Sequence, residues 1–196
     1  MNDGLFHHAL AVPVSASDHM QGVDSAAATL VVYGDYQCPF TAALHQVITR
    51  LQGRFGDNIR YVFRHFPLFT KHPLAQLAAE TAEAATAQGK FWQMHAYLLQ
   101  AQNDFDLDRL PAACSLLGLD YVRLERDISG HAHLEHIQAD VAGAQRSGVA
   151  STPTLFINEL MYDADDDFET LSRHIQSLVP EVGTGRRSFW SKLFGK

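Results

Sequence analysis

The chain has 196 residues, of which 46% are hydrophobic and 19% charged, and its net charge is −7. This length suits one domain, or one domain with an insertion, and the composition is typical of a soluble globular protein that buries a core. The acidic balance argues against a nucleic-acid partner. No apolar run approaches the roughly 18 residues that a membrane span needs.

The first half of the chain predicts a strand, a helix and a second strand. The run "ATLVVYGD" (28–35) is β-branched and apolar, which favours a buried strand. Pro39 suits the first helical position, because its missing N–H would have no partner there. A helix is predicted to follow, ending at Gly56, with apolar residues at helical spacing: Leu44, Val47, Ile48, Leu51 and Phe55. "IRYVFRHFPL" (59–68) predicts a strand parallel to the first.

The rest of the chain predicts a helical block followed by two strands and a helix. Residues 73–147 are rich in alanine and in apolar residues at helical spacing, with breaks at Gly89 and Gly118. "TPTLFIN" (152–158) predicts a third strand and "ELMYD" (159–163) a fourth. Asp167 is predicted to cap a last helix. The pattern therefore indicates an α/β sheet with a helical subdomain inserted into its middle.

Four segments in this order resemble the bacterial DsbA-like branch of the thioredoxin superfamily: "YGDYQCPFT", "YVFRHFPL", "GKFWQMHAYL" and "SGVASTPTLFIN". The resemblance runs from about Pro13 to Val179. It implies a thioredoxin fold (βαβ, then ββα) formed by residues 13–72 and 148–180. Residues 73–147 would be the inserted helical subdomain, and residues 181–196 a basic, aromatic C-terminal tail.

The resemblance also implies where the active site lies. It places Cys38 at the nucleophile position, at the N-terminus of the first long helix. It places Pro153 at the family's cis-proline, with Thr152 beside the sulfur. Thr41 stands where most relatives have a second cysteine. The chain therefore resembles a branch whose active site has a single cysteine, Cys-Pro-Phe-Thr.

Cys38 is a plausible nucleophile on physical grounds as well. The partial positive charge at a helix N-terminus stabilises a thiolate. The hydroxyl of Thr41, on the same helical turn, is predicted to donate a hydrogen bond to that sulfur. Pro39, Phe40 and Tyr36 flank the cysteine and are candidate groove residues. The alternatives are an inert buried Cys38, an ordinary trans bond at Pro153, and plain packing roles for the two aromatic residues.

Three functions fit these residues. The first is thiol–disulfide exchange through Cys38 alone, on protein or small-molecule thiols and disulfides. In that case no cofactor is bound, and glutathione is the co-substrate that releases the product. The second is a glutathione-dependent transferase or isomerase similar to the kappa class, and the third is a non-catalytic module that binds peptides beside Pro153.

Several other residues have two interpretations each. Cys114 is either a small buried hydrophobic residue or a resolving thiol. Arg64 and His65 either hold an anion, such as a glutathione carboxylate, or form a surface pair. His133 and His136 could share a helix face, but no further ligands are evident nearby, so no metal site is predicted.

The two ends of the chain and the cysteine count concern location. The segment 1–13 has neither a basic start nor a proper apolar core, so we do not expect a secretory signal. Two cysteines are too few for a disulfide scaffold, which favours the cytoplasm. The tail 181–196 interleaves basic and aromatic residues; it either contacts a membrane surface or partner, or frays, or packs on its own domain.

Overall fold

The computed structural model describes residues 8–180. Strands β2 (Ala28–Gly34) and β3 (Ile59–His65) are parallel, and helix α1 (Pro39–Phe55) connects them. Gly56 ends α1 with a φ of 51°, a backbone conformation that glycine adopts without a steric penalty. The predicted βαβ unit is therefore confirmed.

The second half of the thioredoxin fold is also as predicted. β4 (Thr154–Ile157) pairs antiparallel with β2, and β5 (Leu160–Tyr162) pairs antiparallel with β4. Helix α7 (Phe168–Leu178) begins at Asp167, whose carboxylate accepts hydrogen bonds from the backbone N–H groups of the first helical turn. The side chain of Asp167 is thus the predicted cap.

Five helices lie between β3 and β4: α2 (Ala75–Thr86), α3 (Phe91–Ala101), α4 (Leu110–Leu117), α5 (Tyr121–Ser129) and α6 (Leu134–Arg146). Helix α5, in which four of nine residues are charged, was not predicted from the sequence. Two local signals were nevertheless present. The carboxylate of Asp120 accepts a hydrogen bond from the backbone N–H of Arg123, and Leu124 and Ile128 are buried one helical turn apart.

A short edge strand was also missed. β1 (His19–Gln21) pairs antiparallel with β3, so the strand order is β1-β3-β2-β4-β5. Three residues are too few to show the alternation by which a strand is recognised in a sequence. β1 matters below because it brings His19 to the sheet.

The two faces of the sheet are both covered. Leu30 and Val32 of β2 pack into the larger apolar core, with residues of α1, α3 and α7. Val31 and Tyr33, which point to the opposite face, pack with Leu10 and with residues near the end of α6. Among the helices of residues 8–180, none has both the length and the apolar character required to cross a membrane. The predicted tail 181–196 lies outside the described residues.

Candidate active site

Cys38 is the residue that immediately precedes α1. Its backbone is extended (φ −78°, ψ 118°), and its N–H donates to the carbonyl of Asp35 at 3.1 Å. The side chain is a free thiol with 4% of its surface exposed. The thiol therefore lies at the positive end of the dipole of a 17-residue helix, close to the protein surface.

The Cys38 sulfur contacts a segment that is 114 residues distant in sequence. Its S–H donates to the backbone carbonyl of Thr152, with 3.2 Å between sulfur and oxygen. The peptide bond between Thr152 and Pro153 is cis. The two segments that the resemblance assigned to one site are thus in direct contact.

Thr41 has a different partner from the one expected. It is buried, and its hydroxyl oxygen accepts a hydrogen bond from the backbone N–H of Asp35 at 3.3 Å. The predicted donation from Thr41 to the Cys38 sulfur is not among the hydrogen bonds of residues 8–180. The reason is that Thr41 faces inward, where its methyl group packs against Gly34 at the end of β2. Thr41 therefore stabilises the turn between β2 and α1.

The residues flanking Cys38 divide into exposed and buried ones. Pro39 is exposed, and Phe40, two residues after the cysteine, is 71% exposed. Tyr36 is only 2% exposed, and its hydroxyl is hydrogen-bonded to Nδ1 of the buried His95 at 3.0 Å. Burial raises the pKa of Tyr36 well above its ordinary value. The prediction that Tyr36 lines a groove is wrong, because the helices packed on the sheet enclose its ring.

Asp35 is a positioning residue that the sequence analysis missed. Its buried carboxylate accepts hydrogen bonds from the backbone N–H groups of Gln37 and Leu68, each at 2.8 Å. Nδ1 of His72 lies 2.8 Å from the same carboxylate. An aspartate directly after a strand, three residues before the cysteine, was the available signal. These contacts fix the turn that carries Cys38.

Arg64 and His65 are neither a surface pair nor a free anion site. Arg64 is buried and bonded to the carboxylate of Asp18, with Nε 2.6 Å from Oδ1. Burial alone would lower the pKa of Arg64, but hydrogen bonds to Asp18 and Tyr33 raise it. His65 is 1% exposed, and its Nε2 lies 2.7 Å from the carboxylate of Glu83. Both predicted interpretations are wrong, because each side chain is already paired inside the fold.

Cys114 and His133 complete the comparison. Cys114, on α4, is 1% exposed within the larger core, and burial and then Asp120 raise its pKa. It is thus packed as a small hydrophobic residue.

The nearest carboxylate to His133 is that of Asp127, at 4.0 Å, whereas His136 faces Glu83 and Asp140. The two histidines do not form a site together.

The sequence of the chain matches a known family over most of its length. A family model described as "Thioredoxin" matches residues 15–177. Since the match covers the sheet, the inserted helices and Cys38, the chain belongs to the thioredoxin family.

The chain is also similar to segments of longer proteins. It is 40% identical over 169 residues to a Na⁺/H⁺ antiporter NhaA 1 of Salinispora arenicola, and 35% identical over 162 residues to one of Mycolicibacterium vanbaalenii. These matches cover 86% and 82% of this chain but only 26% of each antiporter. The chain therefore spans about a quarter of the length of the curated relatives it matches.

Among solved structures, oxidised BdbD from Bacillus subtilis has a TM-score of 0.74 and 20% identity, covering 87% of this chain and 97% of that one. The thiol-disulfide exchange protein α-DsbA2 from Wolbachia pipientis has a TM-score of 0.72 and 21% identity, covering 84% and 88%. At these identities the likeness concerns the fold. The predicted thioredoxin fold with a helical insertion is confirmed, and the fold resembles those of DsbA-like proteins as predicted.

Proposed function

We propose that this chain carries out thiol–disulfide exchange through Cys38 alone, with glutathione as the second thiol. The observation that carries the proposal is the position of the Cys38 sulfur. It lies at the N-terminus of α1, 3.2 Å from the carbonyl oxygen of Thr152 and two residues before the exposed Phe40. Thiol–disulfide exchange proceeds by attack of a cysteine sulfur on one sulfur of a disulfide, so the cysteine of such a site must be reachable from the substrate groove.

The proposed reaction has two exchange steps. In the first, the Cys38 thiolate attacks one sulfur of a disulfide substrate, forming a mixed disulfide and releasing the other sulfur as a thiolate that takes a proton from water. In the second, the thiolate of glutathione attacks the substrate sulfur of the mixed disulfide. The substrate leaves joined to glutathione, and the Cys38 thiolate is regenerated. The number of disulfide bonds stays constant throughout.

An external second thiol is proposed because of the position and burial of the other candidates. Thr41, in the first turn of α1, has no thiol that could attack a mixed disulfide at Cys38. Cys114 has a thiol, but it is enclosed in the core. Pro39 and Phe40 are exposed at the mouth of the site and are proposed to contact the substrate, along with Thr152 and Pro153. An extended substrate would lie along the backbone at Thr152 in the manner of strand addition.

The names of the curated relatives do not change this assignment. Because the matched segment is about a quarter of each antiporter, we assign to this chain the thiol chemistry of its own fold, and not the ion exchange for which those proteins are named. We also propose a cytoplasmic location, where glutathione is abundant and largely reduced.

The test is incubation with oxidised glutathione, followed by intact mass and peptide mapping. We expect one glutathione on Cys38, none in Cys38→Ser, and an unchanged adduct in Cys114→Ser. Reduced glutathione should then release the adduct, and a peptide–glutathione mixed disulfide should be turned over by the wild type only.

Two outcomes would replace the proposal. Conjugation or isomerisation of an electrophile with glutathione that persists in Cys38→Ser would favour the transferase alternative. Peptide binding of equal affinity in wild type and Cys38→Ser, with no adduct and no turnover, would favour a binding module. Neither outcome is compatible with Cys38 as the nucleophile.

A further inference from the structure

Three histidines and two carboxylates from four separate elements converge at the edge of the sheet formed by β1. His19 is on β1, His65 ends β3, Glu83 is on α2, and His136 and Asp140 are on α6. Nε2 of His19 lies 2.5 Å, and Nε2 of His65 2.7 Å, from the same oxygen, Oε1 of Glu83. Nε2 of His136 lies 3.9 Å from that oxygen.

Three of these residues offer the donor atoms of a metal site. One ligand atom from each of His19, Glu83 and His136 lies within 4.8 Å of the other two. Bonds of about 2.0–2.2 Å in tetrahedral geometry place ligand atoms about 3.3 Å apart. The observed separations of 2.5 and 3.9 Å from Glu83 Oε1 fall on either side of that value. Side-chain movements of about an ångström would therefore suffice.

We propose that His19, Glu83 and His136 form a binding site for a divalent transition-metal cation of the Zn²⁺ class. Two imidazoles and a carboxylate suit zinc and its neighbours, whereas Ca²⁺ and Mg²⁺ prefer oxygen ligands alone. On binding, the neutral imidazole of His19 carries its proton on Nδ1 and turns the lone pair of Nε2 to the cation. The metal ligand is thus the neutral ring, and its proton changes nitrogen through exchange with solvent.

Neighbouring groups hold the ligands and leave one side open. The ring of His19 stacks on Phe91, with centroids 3.4 Å apart and planes within 8°. Asp140 accepts a hydrogen bond from the backbone N–H of His65 at 2.8 Å, and its carboxylate lies 3.9 Å from Nε2 of His136, the nitrogen that also faces Glu83. Its negative charge therefore lies beside the proposed cation position.

A cavity of about 160 Å³ lies on the His136 side of the cluster, and its lining includes His136, Asp140, Tyr33 and Arg64. The side chain of His136 is 32% exposed, so a cation can enter from this direction. Water is the fourth ligand expected beside three protein ligands, and this cavity has room for it. No metal site was predicted from the sequence. The other two ligands of the proposed site, His19 and Glu83, lie on β1 and α2, far from His136 in sequence.

The experiment uses the full chain with Cys38→Ser, which removes the thiol of the proposed active site as a competing ligand. After treatment with a chelator, Zn²⁺ is titrated in against a chromophoric competitor, and Co²⁺ is added separately to record its visible spectrum. We expect one equivalent of tightly bound Zn²⁺ and a tetrahedral Co²⁺ spectrum without a thiolate band.

Variants of the ligands and a matched control decide the assignment. His136→Gln should lower the affinity roughly tenfold or more, a loss expected when a metal-site residue is replaced. Glu83 is more buried than His136, so Glu83→Gln could prevent folding, and circular dichroism should show whether each variant is folded. If Glu83→Gln does not fold, His136→Gln alone decides the test. His133→Gln, three residues away at the start of α6, should bind as the parent does.

Two results would overturn the proposal. One is the absence of saturable Zn²⁺ binding. The other is equal binding by the parent and His136→Gln, which would place the cation on other histidines. In either case the cluster would be a buried network of hydrogen bonds between histidines and Glu83.

Discussion

Replacing Gly34 with alanine tests how tightly the end of β2 is packed against the turn that carries Cys38. A Cβ atom at this position would lie 2.5 Å from Cε2 of Phe63 and 2.8 Å from the methyl carbon of Thr41. Carbon atoms in contact are about 3.5–4.0 Å apart, so one group must move by about an ångström.

Neither neighbour can move easily. The ring of Phe63 is 1% exposed and lies 4.5 Å, centroid to centroid, from the ring of His95. Thr41 is fixed through its hydrogen bond to Asp35. Overpacking of this kind typically costs about 1–3 kcal/mol, and we expect Gly34→Ala to lower the free energy of unfolding by that amount.

The assay is urea denaturation followed by circular dichroism, with Gly53→Ala as the control. Gly53 lies in α1, where an added Cβ would meet no atom within 4 Å. That substitution should stabilise the protein by about 0.5–1 kcal/mol, because alanine is the better helix former. A Gly34→Ala variant as stable as the wild type would refute the argument that Gly34, Phe63 and Thr41 are closely packed.

Three further changes have defined outcomes. Burial lowers the pKa of His95 well below its ordinary value, so its contribution to stability is present above about pH 6.5 and is lost as the pH falls, because only the unfolded chain takes up a proton. The free energy of unfolding should therefore decrease between pH 7 and 5, and His95→Gln should remove this part of the decrease. Thr41→Cys should form a disulfide with Cys38 under mild oxidant, measured by thiol titration, since both residues lie on one helical turn. Asp18→Ala leaves the buried guanidinium of Arg64 unpaired and should cost about 3–5 kcal/mol in urea denaturation.

Each of these outcomes has a control or a contradicting result. Asp24→Ala removes an ion pair with Arg60 in which the aspartate is 93% exposed, so its denaturation curve should match that of the wild type. Identical pH dependence of stability in wild type and His95→Gln would exclude His95 as the titrating group. A folded Thr41→Cys variant whose thiols both stay reactive under oxidant would contradict the assigned geometry of the helix start.

The sequence alone determined the features that depend on neighbouring residues. Apolar, β-branched runs encoded β2 and β3, because such side chains suit a strand that is buried in a sheet. Helical spacing encoded α1, because the side-chain period follows directly from the backbone geometry. Gly56 and Asp167 marked helix ends, because unpaired backbone groups there need a particular conformation or a capping side chain. The position of Cys38 at the start of a helix was predictable for the same reason. The charged helix α5 and the three-residue strand β1 carried too weak a pattern.

Only the tertiary structure decided which distant groups meet. The contact between the Cys38 sulfur and Thr152, 114 residues apart, depends on β4 lying beside β2. Tyr36 is buried, and not part of a groove, because helix α3 places His95 against its hydroxyl. Arg64 is paired because Asp18 lies just before the edge strand that joins β3.

The cluster of His19, Glu83 and His136 shows the same limit most clearly. Its members are on a short strand and two helices, and no local pattern in the sequence relates them. They meet because α2 and α6 pack at the edge of the sheet where β1 joins β3. Local periodicity specifies which face of an element is buried, but the packing of elements against one another specifies which side chains that face will touch.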